Sequence, residues 1–413
     1  MSNFNLDKLN FLGDYIVKEY IPQYFPGFSL SIYENNKESY YVENGFLDIE
    51  KKISVSRETI FRIFSMTKPI VSTAAMKLFE LKKFDLIDPV TKFIPEWKNL
   101  KEYKSGSGGK FQVENLTRPM RILDLFTHTA GLTYALQRVT PIDKEYRKLG
   151  IENVVDSRGF HGTKSSDEII NLLAQIPLEF QPGDFYHYSL AIDILGFIIE
   201  RISNQPLDDY LKENIFRPLG MKDTSFYVDK SSAYRLAPCY RWSEEKGLYQ
   251  DLDKNKDPKI KYIDFFNKPK VFSGGAGLLS TMNDYQQFGS ALLNARLGES
   301  NPLVKQETAK LMMVNHLRGG LDMTEISKTP LAGEEYYKGI GFGLGGSVVV
   351  DPKKNLNKSY KGDFGWGGAA GTSFFISPQK KYSVVFLTQV LESEENRRLN
   401  KDIRNLTNSA LLN

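Results

Sequence analysis

Cysteine occurs once in the 413 residues, at Cys239, and histidine four times, at His128, His161, His187 and His316. A single cysteine excludes an internal disulfide framework and a cysteine-ligated metal cluster. Four scattered histidines leave few ways to build a histidine-based site. An excess of one charge is also missing. The 54 basic and 50 acidic side chains leave a formal +4, too small and too evenly spread for a nucleic-acid or membrane-surface partner. The longest apolar run, 192–199, is broken by Asp193 and Gly196 and is too short to span a bilayer. The opening Met-Ser-Asn-Phe-Asn-Leu-Asp-Lys lacks the basic segment and apolar run of a secretory signal, so a cytoplasmic location is expected. What the chain does have is 41% hydrophobic and 13% aromatic residues. That is enough for a large core and excludes both disorder and a small stapled scaffold.

Periodicity predicts a helix over 5–22, strands over 28–33, 39–42 and 59–64, and a helix over 68–81 that is apolar nearly all round and therefore interior. The middle, 85–335, reads as mostly helical, with polar loops at 101–111, 155–167 and 244–260. Strands return at 342–350, 372–377 and 382–387, and a last helix covers 392–411. The expected architecture is α/β (α+β): a split unit from 1–84 and 336–413 holding an inserted helical domain, 85–335.

Three common catalytic signatures are absent: Gly-x-Ser-x-Gly, His-Glu-x-x-His and Gly-x-x-x-x-Gly-Lys-Ser/Thr. Gly341-Phe342-Gly343-Leu344-Gly345-Gly346 fits a dinucleotide fingerprint but leads into a strand where that motif needs a helix, so it reads as a glycine-rich strand. Ser-x-x-Lys occurs at Ser65-Lys68, Ser107-Lys110, Ser243-Lys246 and Ser377-Lys380. Only Ser65 stands where a strand hands over to a buried apolar helix. Residues three apart share a helix face, so Lys68 can reach the Ser65 hydroxyl. Apolar surroundings lower an amine's pKa and make it a base near neutrality, and the helix N-terminus adds free N–H groups for an oxyanion. Pro69 is tolerated in the first turn. On spacing alone the pair also fits a capping serine with an incidental lysine. Similarly, Tyr188, in Gln181-Pro182-Gly183-Asp184-Phe185-Tyr186-His187-Tyr188-Ser189 at the mouth of a second buried helix, suits either a proton shuttle or an aromatic packed at a helix start.

The segment Thr59-Ile60-Phe61-Arg62-Ile63-Phe64-Ser65-Met66-Thr67-Lys68-Pro69 resembles the nucleophile segment of class C β-lactamase-like serine hydrolases. Leu86-Ile87-Asp88-Pro89-Val90, Asp124-Leu125-Phe126-Thr127-His128-Thr129-Ala130-Gly131-Leu132 and Gly275-Ala276-Gly277-Leu278-Leu279-Ser280-Thr281 resemble other parts of the same family. Tyr188-Ser189-Leu190 and Trp366-Gly367-Gly368 look like the Tyr motif and the third box of its carboxylesterase branch, family VIII. The motifs keep the family's order from about residue 25 to 395. The resemblance implies a penicillin-binding-protein-like fold, an antiparallel sheet flanked by helices plus a helical domain, with the site in the cleft. It makes Ser65 the acylated nucleophile and has Lys68 and Tyr188 share acid and base duty. The N–H groups of Ser65 and Ala369 become the oxyanion hole, Ala369 following the third box on its strand. It implies no cofactor and no metal.

The departures from the lactamase pattern bear on substrate. The lactamase Tyr motif ends in Asn, here Leu190, and its third box begins with a lysine, here Trp366. Lys104-Ser105-Gly106 is a decoy for that box, because it precedes Tyr188 and falls in a predicted loop. Leucine and tryptophan suit a neutral or apolar acyl or alcohol group, so a small-molecule carboxylic ester is the expected substrate. Amidase, peptidase, weak β-lactamase and acyltransferase activities are alternatives in the same fold, and a catalytically silent scaffold is an alternative of another class. His187 either lines the cleft or packs beneath it, and Tyr134 and Phe185 either wall the acyl pocket or pack as ordinary aromatics. His128, Asp124 and Asp193 read as structural, and Cys239 as a small buried hydrophobe.

Overall fold

The computed structural model describes residues 2–135, 139–151, 164–250, 265–328, 334–391 and 393–412. Both ends of the chain enter one antiparallel sheet. Its strands are β1 (Gly27–Glu34), β2 (Lys37–Asp48), β3 (Ile53–Ser54), β4 (Ile340–Phe342), β5 (Ser347–Val349), β6 (Phe364–Gly367), β7 (Ser373–Ser377) and β8 (Tyr382–Leu387). They stand in the order β4-β5-β6-β7-β8-β1-β2-β3. β1 and β8 close the chain on itself, running from Ser29 opposite Leu387 to Glu34 opposite Tyr382.

Five helices position the site: α1 (Leu6–Tyr20), α2 (Thr67–Glu80), α3 (Ala191–Ser203), α4 (Met282–Leu297) and α5 (Glu394–Ser409). The unalternating run of β8 requires cover on both faces. Tyr382, Val384 and Phe386 meet Leu9, Leu12 and Ile16 of α1 and Leu399 and Ile403 of α5. On the other face Val385 and Leu387 share a core with Tyr285, Phe288 and Leu292 of α4, and Tyr285 packs edge-on to Phe374 with centroids 5.2 Å apart. α2 lies deeper and packs on α3, with Ile70, Val71, Ala74, Ala75 and Met76 fully buried. No helix among the described residues is long and apolar enough to cross a membrane.

The interior helix predicted at 68–81 runs over Thr67–Glu80, and the strand predicted at 382–387 has those bounds. The elements expected at 5–22, 28–33, 372–377 and 392–411 are also present within two residues of those bounds, while other segments differ. The strand expected over 59–64 is shorter: Phe61–Arg62 pairs with Leu279–Ser280 and Ile60 bridges Leu236, and the run ends where Phe64 turns the chain with φ +43. The 342–350 strand is two strands, β4 and β5, joined by a turn that Gly343 N–H closes on the Gly346 carbonyl at 2.8 Å. The polar stretch at 101–111 is no loop: Lys101–Ser107 pairs with Lys110–Asn115 through a Gly108-Gly109 turn with both φ positive, as a tight hairpin requires. Lys104-Ser105-Gly106 therefore lies on a strand. The run at 244–260 begins in another hairpin, Tyr240–Ser243 with Gly247–Gln250. His161, residues 155–163 and residues 251–260 lie outside the described residues.

Candidate active site

After Arg62 the chain leaves its short strand through Phe64, whose left-handed backbone costs about 1–3 kcal/mol for a residue with a side chain. The ring is held in a buried cluster with Cys239, Ala370 and Leu391. The turn that follows delivers Ser65, half-exposed, to the N-terminal mouth of α2. Lys68, one turn on, is fully buried. Its Nζ lies 3.2 Å from the Ser65 hydroxyl and donates to the Gly275 carbonyl at 2.7 Å. The Tyr188 and Tyr134 rings stand 4.6 Å and 5.4 Å from the same nitrogen. Burial pushes the amine down to about 7, against the opposing pull of Asp193. The lysine can therefore present a lone pair near neutral pH.

Tyr188 hydrogen-bonds Ser65, and the Trp366 indole N–H donates to its phenol oxygen at 3.3 Å. Burial raises the phenol far above its ordinary range, so it carries its proton at neutral pH. Its chain neighbours are pinned on both sides. Tyr186 bonds Ile326 and Lys328 through its backbone, at 3.0 and 2.9 Å, and His187 N–H reaches the His128 carbonyl at 2.9 Å. Ser189 N–H donates to His128 Nδ1 at 3.2 Å, which leaves the His128 proton on Nε2. Burial also pushes this imidazole well below its usual range. Neutral, with its ring centroid 4.6 Å from that of Tyr188, His128 serves as a platform for the phenol.

The third wall comes from β6. A Cβ on Gly368 would stand 2.5 Å from the Ile63 carbonyl oxygen, so only glycine lets this turn approach the segment that carries Ser65. Gly368 N–H bonds the Thr372 carbonyl at 2.7 Å and Gly371 N–H bonds the Gly368 carbonyl at 3.1 Å; neither bond uses the Ala369 N–H. Ala369 sits in this turn, beyond the end of β6 rather than on it. A Gly368→Ala variant is expected to push the turn off Ile63 and slow acyl-enzyme formation about a hundredfold, the scale of losing one oxyanion donor. Stopped-flow kinetics with an activated ester would read this as a loss of rate with little change in KM.

Ser65, Tyr186, Tyr188, Trp366, Gly367, Gly368 and Ala369 line one cleft of about 570 Å³, with Met323, Tyr336 and Tyr337 also on its walls. The other predicted pocket residues fall elsewhere. Tyr134 is buried behind the site, 5.4 Å between its ring centroid and that of Tyr188. Leu190 is buried in the main core at the start of α3. His187 is buried against Glu179 and Thr133, beneath the cleft. Phe185 points outward, packing on Phe180 under the Lys328 ammonium. Adjacency to Tyr188 in sequence does not carry these side chains to its face. Sequence reasoning missed the contribution of Asp193, on α3, whose charge acts on Lys68. An aspartate inside the apolar run of a buried helix needs a partner, and that was its signal. Among the described residues no group of three or more His, Cys, Asp or Glu could hold a metal ion.

Fold and site together define a class: a serine hydrolase of the β-lactamase and penicillin-binding-protein fold. The structure of EstCE1, "a hydrolase with promiscuous acyltransferase activity", superposes with a TM-score of 0.78 at 27% identity, covering 98% of each chain. The esterase EstB of Burkholderia gladioli is 29% identical over 352 residues, 83% of this chain and 81% of its own. A protein of Mycobacterium tuberculosis is 33% identical over 350 residues, 84% of this chain and 81% of its own. The chain belongs to the Beta-lactamase family, whose model matches residues 16–408.

Proposed function

We propose that the protein is a carboxylesterase that hydrolyses small neutral esters through an acyl-enzyme on Ser65. The observation that carries this reading is Trp366. Where a lactamase presents a cation, this chain presents an indole that lines the cleft and whose N–H is engaged by Tyr188. That position offers an apolar wall rather than a partner for a substrate carboxylate.

In the proposed reaction, neutral Lys68 takes the Ser65 proton as Oγ attacks the ester carbonyl carbon. The N–H groups of Ser65 and Ala369 hold the oxyanion. Tyr188 gives its phenolic proton to the departing alcohol oxygen as the C–O bond breaks, and it recovers a proton from the Lys68 ammonium. Water then attacks the acyl carbon with Lys68 again as base, and the acid leaves as Ser65 is reprotonated.

With a p-nitrophenyl ester of a short acid, the expected result is a burst of nitrophenol and an acyl mass added at Ser65, both lost in Ser65→Ala. An unchanged rate in that variant overturns the reading. Esters should turn over faster than matched amides or β-lactams. Acyl transfer to an alcohol is a second reading, favoured by a cleft that continues past Ser65 to Met323, Tyr336 and Tyr337. It predicts that added alcohol diverts product from acid to a new ester.

A further inference from the structure

Lys68 has an unusual set of partners for a buried amine. Its hydrogen bonds go to Ser65 and to a backbone carbonyl, that of Gly275. The same Gly275–Ala276 peptide donates its Ala276 N–H to Ser273 Oγ at 3.1 Å. The Ser273 hydroxyl in turn donates to Asp193 Oδ1, which also accepts Gly275 N–H at 3.0 Å. A continuous path therefore runs from a carboxylate through a hydroxyl and a peptide unit to the amine beside the nucleophile. Each link polarises the next, so a charged Asp193 makes the Gly275 carbonyl a better acceptor for Lys68.

Asp193 and Ser273 are both buried, and Asp193 Oδ2 has no hydrogen-bond partner. Burial pushes this carboxyl above its ordinary range, and the Lys68 ammonium, Ser273 and the Gly275 N–H pull it back toward the charged form. A Cβ on Gly275 would collide with Asp193 Oδ2, so glycine is what admits the carboxylate this close to the loop. The other titratable groups facing Lys68 are Tyr134, Tyr188 and His128. Burial keeps both phenols protonated and the imidazole neutral. No acidic residue lies in the first turn of α2. Among the described residues Asp193 is then the one anion acting on the amine.

We propose that Asp193, acting through Ser273 and the Gly275–Ala276 peptide, is the positioning residue that holds Lys68 against Ser65 and sets the pH at which Ser65 becomes a nucleophile. The proposal rests on the esterase reading above and deepens it. The test is the rate of Ser65 acylation by a p-nitrophenyl ester against pH, in wild type, Asp193→Asn and Ser273→Ala, with thermal melting of each. Asparagine keeps the shape and an acceptor oxygen but removes the charge that favours the ammonium form. The midpoint of the acylation profile should move down by about one pH unit or more, and the plateau rate should fall about tenfold to a hundredfold as the amine loses its alignment. Ser273→Ala deletes only a hydroxyl, so it should fold even if the asparagine variant does not. It should move the midpoint the same way by less, leaving KM unchanged. Variants that melt lower but keep the wild-type midpoint would show a merely structural role and overturn the proposal. A wild type that is never acylated at Ser65 would overturn the esterase reading itself, and the relay with it.

Discussion

Replacing Lys68 by methionine is expected to slow Ser65 acylation at pH 7 by about a thousandfold, within the range that a positioned general base contributes. Methionine has a similar length and accepts the apolar surroundings of α2, so the pocket should keep its shape. The more diagnostic expectation concerns pH. Burial holds the Lys68 amine at about 7, so the base is protonated and idle below that pH and available above it. Wild-type acylation should climb as pH rises through about 7 and then level, while Lys68→Met should show no such step. Stability carries the complementary sign. The folded amine titrates below its ordinary value of 10.5, so between about 7 and 10.5 the unfolded chain binds more protons than the folded one. The Lys68 penalty on folding is therefore full below 7 and is relieved as pH rises through that window. Melting temperatures of wild type and Lys68→Met, compared across this range, should differ most at its acid end. A pH-rate profile with the same step in both proteins would assign the base to another group.

The parts of this site that could be read from sequence are those written in contiguous residues. Ile60-Phe61-Arg62-Ile63-Phe64 followed by an all-round apolar helix places Ser65 at a strand-to-helix junction, and the i, i+3 spacing puts Lys68 beside it. The position of Tyr188 at the entrance to a second buried helix could be read in the same way. For it, as for the Ser65–Lys68 pair, local residues left a structural reading open, and only the resemblance of the ordered motifs chose between the two. What could not be read depends on contacts between distant segments. Asp193 meets the Lys68 carbonyl partner only because the loop at 273–276 folds between α2 and α3, so tightly that a Cβ on Gly274 would stand 2.7 Å from the Ile192 carbonyl oxygen. Nothing local to either helix states that. The hairpin at 101–115 escaped because both of its strands are largely solvent-facing, so polar composition masked its alternation; only Tyr103 and Phe111, edge to face at 5.6 Å, mark its inner side. Leu190 lies in the core rather than on the cleft wall, and His187 takes the buried one of its two expected places, for a different reason. Tyr188 sits in an irregular segment entering α3, where neighbouring side chains take directions that no helical or strand period predicts.

Replacing Tyr188 by phenylalanine should separate two classes of ester. The phenol is protonated at neutral pH because burial opposes the phenolate, so its part in the proposed reaction is to donate. An alkyl alcohol leaves poorly as an alkoxide and needs that proton. A nitrophenol leaves as a stable anion and does not. Tyr188→Phe is therefore expected to slow acylation by simple alkyl esters by about a thousandfold, and by nitrophenyl esters only about tenfold. The smaller loss reflects the missing hydrogen bond to Ser65 and the indole N–H of Trp366 left without its acceptor. Competing a methyl ester against a nitrophenyl ester of the same acid would measure the difference directly. If both substrates slowed by the same factor, Tyr188 would be acting on the attack of Ser65 rather than on departure of the alcohol. The proton that the departing alkoxide needs would then have to come from the Lys68 ammonium, whose Nζ lies 3.2 Å from the Ser65 oxygen. In the productive cycle that ammonium is the one made when neutral Lys68 takes the Ser65 proton, so one amine would then serve as base and acid in turn. The alkyl-ester rate in Tyr188→Phe would follow the same pH step as the nitrophenyl rate.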